Sequence, residues 1–313
     1  MNYPYANGRI AAIDNDILDR TQLSKLLKTS KSDFVATLVD LGYGNNTDGN
    51  LEDLINREIS DTKVLLDEIS PQKKFTDLFY LENDLINIKA IYKMKIFGYD
   101  NFSSFKSLGI FSREQVEKII LSNNFEGLSP EYKSLFTDIN KVLEGIDNPR
   151  LISAKIDNAV YRFLLKILKK HQNPILKQYF QFRIDTANIL TIIRAKRLGW
   201  EVEQCGEMFI DHGLISIEDL TKAFYANDLS KMFTTYYQGK LDNGLKGYHD
   251  NDNVNRLEMY FDELILELMA NYRYEAFSIG PIVYYFLKKQ AEAKNIRLIY
   301  ANDNLDINDL LRY

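Results

Sequence analysis

The chain has 313 residues, of which 39 are Lys or Arg, 44 Asp or Glu and 3 His, for a formal net charge of −5. That acidic balance argues against broad nucleic-acid binding, which needs surplus cations to neutralise phosphates. The single cysteine excludes an internal disulfide and fits a reducing compartment, while the length suits one large fold or two to three ordinary domains.

The opening Met1-Asn2-Tyr3-Pro4-Tyr5 lacks a basic head followed by an apolar run, so no secretion signal is expected. Helical periodicity runs from Ile10 to Lys28. A short helix is predicted from Asp33 to Leu41, stopped by Gly42-Tyr43-Gly44. A polar turn is expected from Gly42 to Asn50. Long helices follow over Leu51–Glu68 and Phe75–Phe97, parted by Ser70-Pro71. Ser112 with Gln115 three residues on, then Val116, Ile119 and Ile120, reads as a capping-box start. Further helices are predicted over Ser129–Leu143, Arg150–Lys170, Pro174–Leu198, Ser216–Ala226, Leu229–Tyr237, Val254–Tyr272 and Pro281–Ile299. The Gly-, Asn- and Asp-rich stretch Gln238–Asn253 reads as a loop. Sustained strand alternation is absent, so the expected class is all-α. A membrane-crossing helix takes about 20 apolar residues. The longest candidate, Ile279 to Leu287, has nine including Gly280 and Pro281, so none is expected.

Internal repetition is the most informative feature. Residues 82–98 read ENDLINIKAIYKMKIFG and residues 183–199 read RIDTANILTIIRAKRLG. A shift of 101 sets Asp84 on Asp185, Asn87 on Asn188, Lys95 on Lys196 and Gly98 on Gly199. A weaker third copy, AEAKNIRLI, sets Glu292 and Asn295 on Asp185 and Asn188 at a shift of 107. The acid and the Asn share one side of their helix and are expected to cap or bridge a neighbouring helix. The late Lys suits the negative end of its own helix dipole, and the glycines fit C-terminal stops. A helix apolar on so many sides is expected to pack between others. These eight positions, Asp84, Asn87, Lys95, Asp185, Asn188, Lys196, Glu292 and Asn295, therefore read as structural.

Catalytic patterns are missing. Cys205, His171, His212 and His249 do not supply a zinc ligand set. The run beginning Asp250-Asn251-Asp252 has Phe261 where a calcium loop needs its bidentate acid. Gly239-Lys240 has neither the upstream glycine nor a following Ser or Thr, so it frames no phosphate. No catalytic residue, metal or cofactor is assigned. Charge is uneven: Val160–Leu198 carries nine basic residues against Asp185 alone, whereas Leu241–Glu275 carries eight acids and three bases. Solvated helix faces, a protein partner or the acidic part of this same chain, lipid headgroups and RNA are the readings of that contrast.

Four segments resemble one family. They are Tyr3-Pro4-Tyr5-Ala6-Asn7-Gly8-Arg9-Ile10; Leu18 to Leu27 with Phe34 and Leu38 to Gly44; the paired helices 82–98 and 183–199; and Tyr272 to Ile299. In order and spacing they are similar to the C subunit of the V-type and archaeal-type ATPases, whose eukaryotic counterpart is the V-ATPase d subunit. Gly8 stands where the family usually has another small residue. The resemblance implies three helical modules, here about 1–105, 106–205 and 206–313, forming a funnel or bowl. It also implies a non-catalytic part that couples the central stalk to the membrane rotor ring for ATP-linked proton or sodium transport. Its expected partners are the stalk subunits and that ring, with no nucleic acid, at the cytoplasmic face of the membrane. A helical-repeat scaffold of another complex and a helical enzyme with an unrecognised site are the alternatives.

Overall fold

The computed structural model describes residues 2–44, 49–98 and 108–313. Among them there is no strand, and fourteen α-helices follow one another. They are α1 (Tyr3–Ile13), α2 (Arg20–Leu27), α3 (Phe34–Asp40), α4 (Leu51–Ile69), α5 (Lys73–Phe97), α6 (Arg113–Leu121) and α7 (Pro130–Leu143). Then come α8 (Pro149–Lys170), α9 (Pro174–Arg197), α10 (Val202–Gly206), α11 (Ile217–Tyr225), α12 (Lys240–Asn251), α13 (Val254–Ala270) and α14 (Gly280–Ala301). The fold is all-α.

Most helix starts are marked by residues that need no helical N–H or that cap one. Pro4, Pro130, Pro149, Pro174 and Pro281 occupy the first turns of α1, α7, α8, α9 and α14, where the missing N–H costs nothing. Capping boxes start α2 (Asp19, Gln22), α4 (Asn50, Asp53) and α6 (Ser112, Gln115). Gly98 and Gly199 end α5 and α9 at φ +70° and +65°, left-handed values that glycine takes without strain.

The chain forms two compact units, residues 1–76 with 258–313, and residues 77–257. In the first, Leu23, Leu26, Phe34, Leu38, Leu54 and Ile55 pack with Ala293, Ile296 and Ile299 of α14. In the second, aromatic rings make much of the interior: Phe79 lies 5.3 Å from Tyr179, and Tyr179 lies 4.9 Å from Phe180, edge to face. Helices α9 and α14 bury residues on all sides, 13 of 24 and 14 of 22 respectively, as expected of helices packed between others.

Three sequence expectations are corrected. Ile10–Lys28 is not one helix: α1 ends at Ile13, a 3₁₀ turn spans Asp14–Asp16, and α2 starts afresh behind its Asp19 cap. The expected loop Gln238–Asn253 contains α12, whose buried Leu241, Gly244 and Leu245 give it an inner face. Packing outweighs glycine's poor helix propensity there. The expected helix Leu229–Tyr237 is instead two 3₁₀ turns, with Tyr237 and Gln238 at positive φ. The expected turn at 42–50 lies partly, and the module boundary at 105–106 wholly, outside the described residues.

Candidate functional site

The repeated polar residues form an organised set of buried side chains. Asp84, Asn87, Asp185, Asn188, Glu292 and Asn295 are all buried, on α5, α9 and α14. Each acid takes backbone N–H groups of a segment entering a short capped helix. Asp84 Oδ2 and Oδ1 accept from Ile110 (2.6 Å) and Phe111 (3.3 Å), just before the Ser112 cap of α6. Asp185 Oδ2 and Oδ1 accept from Leu214 (2.9 Å) and Ile215 (3.1 Å), just before the Ser216 cap of α11. Glu292 accepts from Leu18 at 2.7 Å, just before the Asp19 cap of α2. Those N–H groups precede the helix and have no helical acceptor, so a buried carboxylate is what satisfies them.

Side-chain length fits the job. A Cβ on Gly109 would lie 1.9 Å from Asp84 Oδ1, and one on Gly213 would lie 2.0 Å from Asp185 Oδ1. Only glycine admits the short aspartate so close. In the third set Asp16 stands two residues before Leu18, where the other two sets have glycine, and the acid is the longer Glu292. The extra methylene reaches the same kind of N–H without that close approach.

Two of the asparagines each hold both backbone groups of one residue. Asn188 Nδ2 donates to the Ile210 carbonyl and its Oδ1 accepts from the Ile210 N–H, both at 2.8 Å. Asn295 does the same with Leu311, at 2.9 and 2.8 Å. Asn87 is buried on α5. The lysines close the other end. Lys95 Nζ donates to Ile120 O at the C-terminal end of α6, and Lys196 Nζ to Ala226 O just past α11. Both lysines sit in the last turn of their own helices, and their side chains also reach the carbonyl end of the adjacent short helix, where a cation is equally favourable. In the third set an ion pair of reversed polarity, Asp303–Lys31 at 3.2 Å, lies beyond α2.

Asp185 receives a third bond, from the Tyr237 hydroxyl at 2.5 Å. Burial nonetheless pushes its carboxyl up to about 6, against the opposing pull of Tyr237, Ile215 and Leu214. The fold therefore holds protonated Asp185 better than the unfolded chain does. That contribution is complete below about pH 4 and fades as pH rises through about 6. The stability difference between wild type and Asp185→Asn is expected to favour wild type more at about pH 5 than at about pH 7.5, by about 1 kcal/mol. Denaturant melts of both proteins at the two pH values check this; a difference independent of pH would show an unperturbed carboxyl.

Several organising residues escaped the sequence reading. Lys289, on α14, lies 2.8 Å from Glu58 and 2.6 Å from Glu292. Glu58 in turn accepts the Gly44 N–H at 2.8 Å. Arg183 and Glu82, the first residues of the two aligned segments, pair at 3.3 Å, and Tyr161 and Tyr179 donate to the same carboxylate. Asn7 Nδ2 donates to the carbonyls of Ala276 (2.9 Å) and Ser278 (3.0 Å), tying α1 to the turn before α14. One signal was present in the sequence: Ile110-Phe111-Ser112, Leu214-Ile215-Ser216 and Ile17-Leu18-Asp19 repeat two apolar residues and a cap.

None of this resembles reactive chemistry. Burial pushes the Cys205 thiol up to about 11, so it stays protonated at neutral pH. Among the described residues no three His, Cys, Asp or Glu side chains gather as a metal site would require, and no helix is long and apolar enough to cross a membrane.

Comparison with known proteins reaches the same frame from outside. The family pattern of the ATP synthase (C/AC39) subunit matches residues 6–302. The C subunit of the A-type ATP synthase of Methanosarcina acetivorans is 24% identical, over 99% of this chain and 91% of its own length. The protein of that name from Thermococcus onnurineus is 25% identical over 95% and 85%, and that from Methanocaldococcus jannaschii 22% over 95% and 82%. Because the match runs from α1 to the end of α14 rather than through one segment, the chain belongs to the ATP synthase (C/AC39) subunit family of the V/A-type ATPases.

Proposed function

We propose that this chain is the non-catalytic central-stalk component that couples the rotating stalk to the membrane rotor ring of a rotary ATPase, for ATP-linked proton or sodium transport. The observation that carries the reading is how the repeated polar residues are used. The carboxylates and amides whose partners are described hold backbone turns of the chain itself. Such clamps suit a part that transmits force by shape. The relatives named as ATP synthase subunits supply the machine. Its stalk subunits and ring are the proposed partners, at the cytoplasmic face of the membrane.

The same clamps suggest three related units, each a long helix with the short capped helix its acid engages: α5 with α6, α9 with α11, α14 with α2. Each pair crosses a boundary expected from the sequence (105/106, 205/206, or from the third module back to the first), so we propose units shifted along the chain from those bounds. The third is closed by the N-terminal segment. Their arrangement as a funnel, implied by the family resemblance, is part of the proposal.

The test is paired ATP turnover and ion uptake in vesicles carrying the complete enzyme or the enzyme lacking this chain. The soluble catalytic complex should hydrolyse ATP without it, while most ATP-driven uptake should be lost. Full, stoichiometric uptake in its verified absence would overturn the coupling role. Assembly of both enzymes is checked first, so that a broken complex is not scored.

A further inference from the structure

Helix α8 carries an exposed row of cations. Arg162, Lys166, Lys169 and Lys170 are exposed, and Lys177 continues the row beyond the turn into α9. Spacings of four, three and one residue keep the first four on one side of α8. At 1.5 Å per residue Arg162 and Lys170 stand about 12 Å apart along the axis. Residues 158–184 contain no acid at all. Among the described residues none of these five cations has an ion-pair partner, although many other Lys and Arg residues do.

The row carries no apolar anchor of its own. The exposed large apolar side chains, such as Leu121, Leu198, Tyr274 and Phe277, all lie outside residues 150–180. A stable protein interface is built on desolvated aromatic or aliphatic anchors, with charges serving mainly the rim and the encounter. Headgroups of anionic phospholipids need only cations at the surface. We propose that the exposed face of α8 is a docking surface for an anionic phospholipid headgroup layer, held by charge without insertion.

The inference concerns this chain's own residues and is tested without any ATPase, so its outcome is independent of the coupling experiment. The full chain is floated with phosphatidylcholine vesicles with and without phosphatidylglycerol, at low salt and at about 0.1 M salt, where screening sets in over about 10 Å. Binding is expected only with phosphatidylglycerol and should fall as salt rises. The triple variant Lys166→Glu/Lys169→Glu/Lys170→Glu should lose binding at least about tenfold. Its fold is checked by circular dichroism, and Lys25→Glu/Lys28→Glu/Lys31→Glu, with the same charge change on exposed lysines in and just after α2, should bind nearly as wild type. Equal binding to both vesicles, no binding, or equal loss in the two triple variants would overturn the proposal. A parallel titration with polyglutamate reads the other occupant: capture of the peptide without the vesicles would reassign the face to an acidic polypeptide.

Discussion

Replacing Lys289 by Met should destabilise the protein by about 3–5 kcal/mol, the usual cost of removing one partner from a buried charge set. Lys289 is only 5% exposed. Its ammonium lies 2.8 Å from Glu58, 2.6 Å from Glu292 and 5.2 Å from the centre of the Tyr43 ring. Burial works against its charge, yet Glu292 and Glu58 hold it above the usual lysine range. Burial likewise raises the Glu292 carboxyl, against the pull of Lys289 and the Leu18 N–H. Without the cation, the buried Glu292 and the partly buried Glu58 carboxylates face each other, and Glu292 holds Leu18 less well. Denaturant melts measure the loss. Adding Glu58→Gln to the Lys289→Met protein should recover part of it by removing one stranded charge. A loss below about 1 kcal/mol would place the three groups effectively in water.

Asn188→Leu should cost about 2–4 kcal/mol, because it strands two backbone groups at once. Both the N–H and the carbonyl of the buried Ile210 are matched by the Asn188 amide. Leucine offers neither donor nor acceptor and is branched where the amide is flat. Asn188→Asp keeps the acceptor for the Ile210 N–H and loses only the donor, but it also buries a carboxylate. Leucine and aspartate should therefore both be damaging, with aspartate recovering at low pH and leucine not. A leucine variant that melts like wild type would show that Ile210 finds other partners.

How much of this was readable in advance depended on distance along the chain. The long helices, their proline starts and their glycine stops are local, and so are the paired acid and Asn of the repeats. The partners are not. Glu292 holds a residue 274 positions away, and Lys289 meets one 231 positions away. An acid three residues after a lysine on a helix looks like a common surface pair, and only burial shows otherwise. Helix α12 was hidden by its Gly and Asn content, since its reason for being helical is the packing of Leu241 and Leu245. Tyr237, at positive φ, reaches Asp185 from a turn that periodicity reads as helix.

The first compact unit is made of two stretches separated by residues 77–257. During synthesis the N-terminal stretch leaves the ribosome long before α14 exists. At roughly 5–20 residues per second, the 274 positions between Leu18 and Glu292 correspond to roughly 14–55 s of translation. Over that interval Leu18, Leu23, Leu26 and Leu38 have no Ile296 or Ile299 to pack against. The second unit, continuous in sequence, has no such wait. The second unit can therefore complete its contacts while the chain is still being made, whereas the core of the first cannot close until α14 has been synthesised.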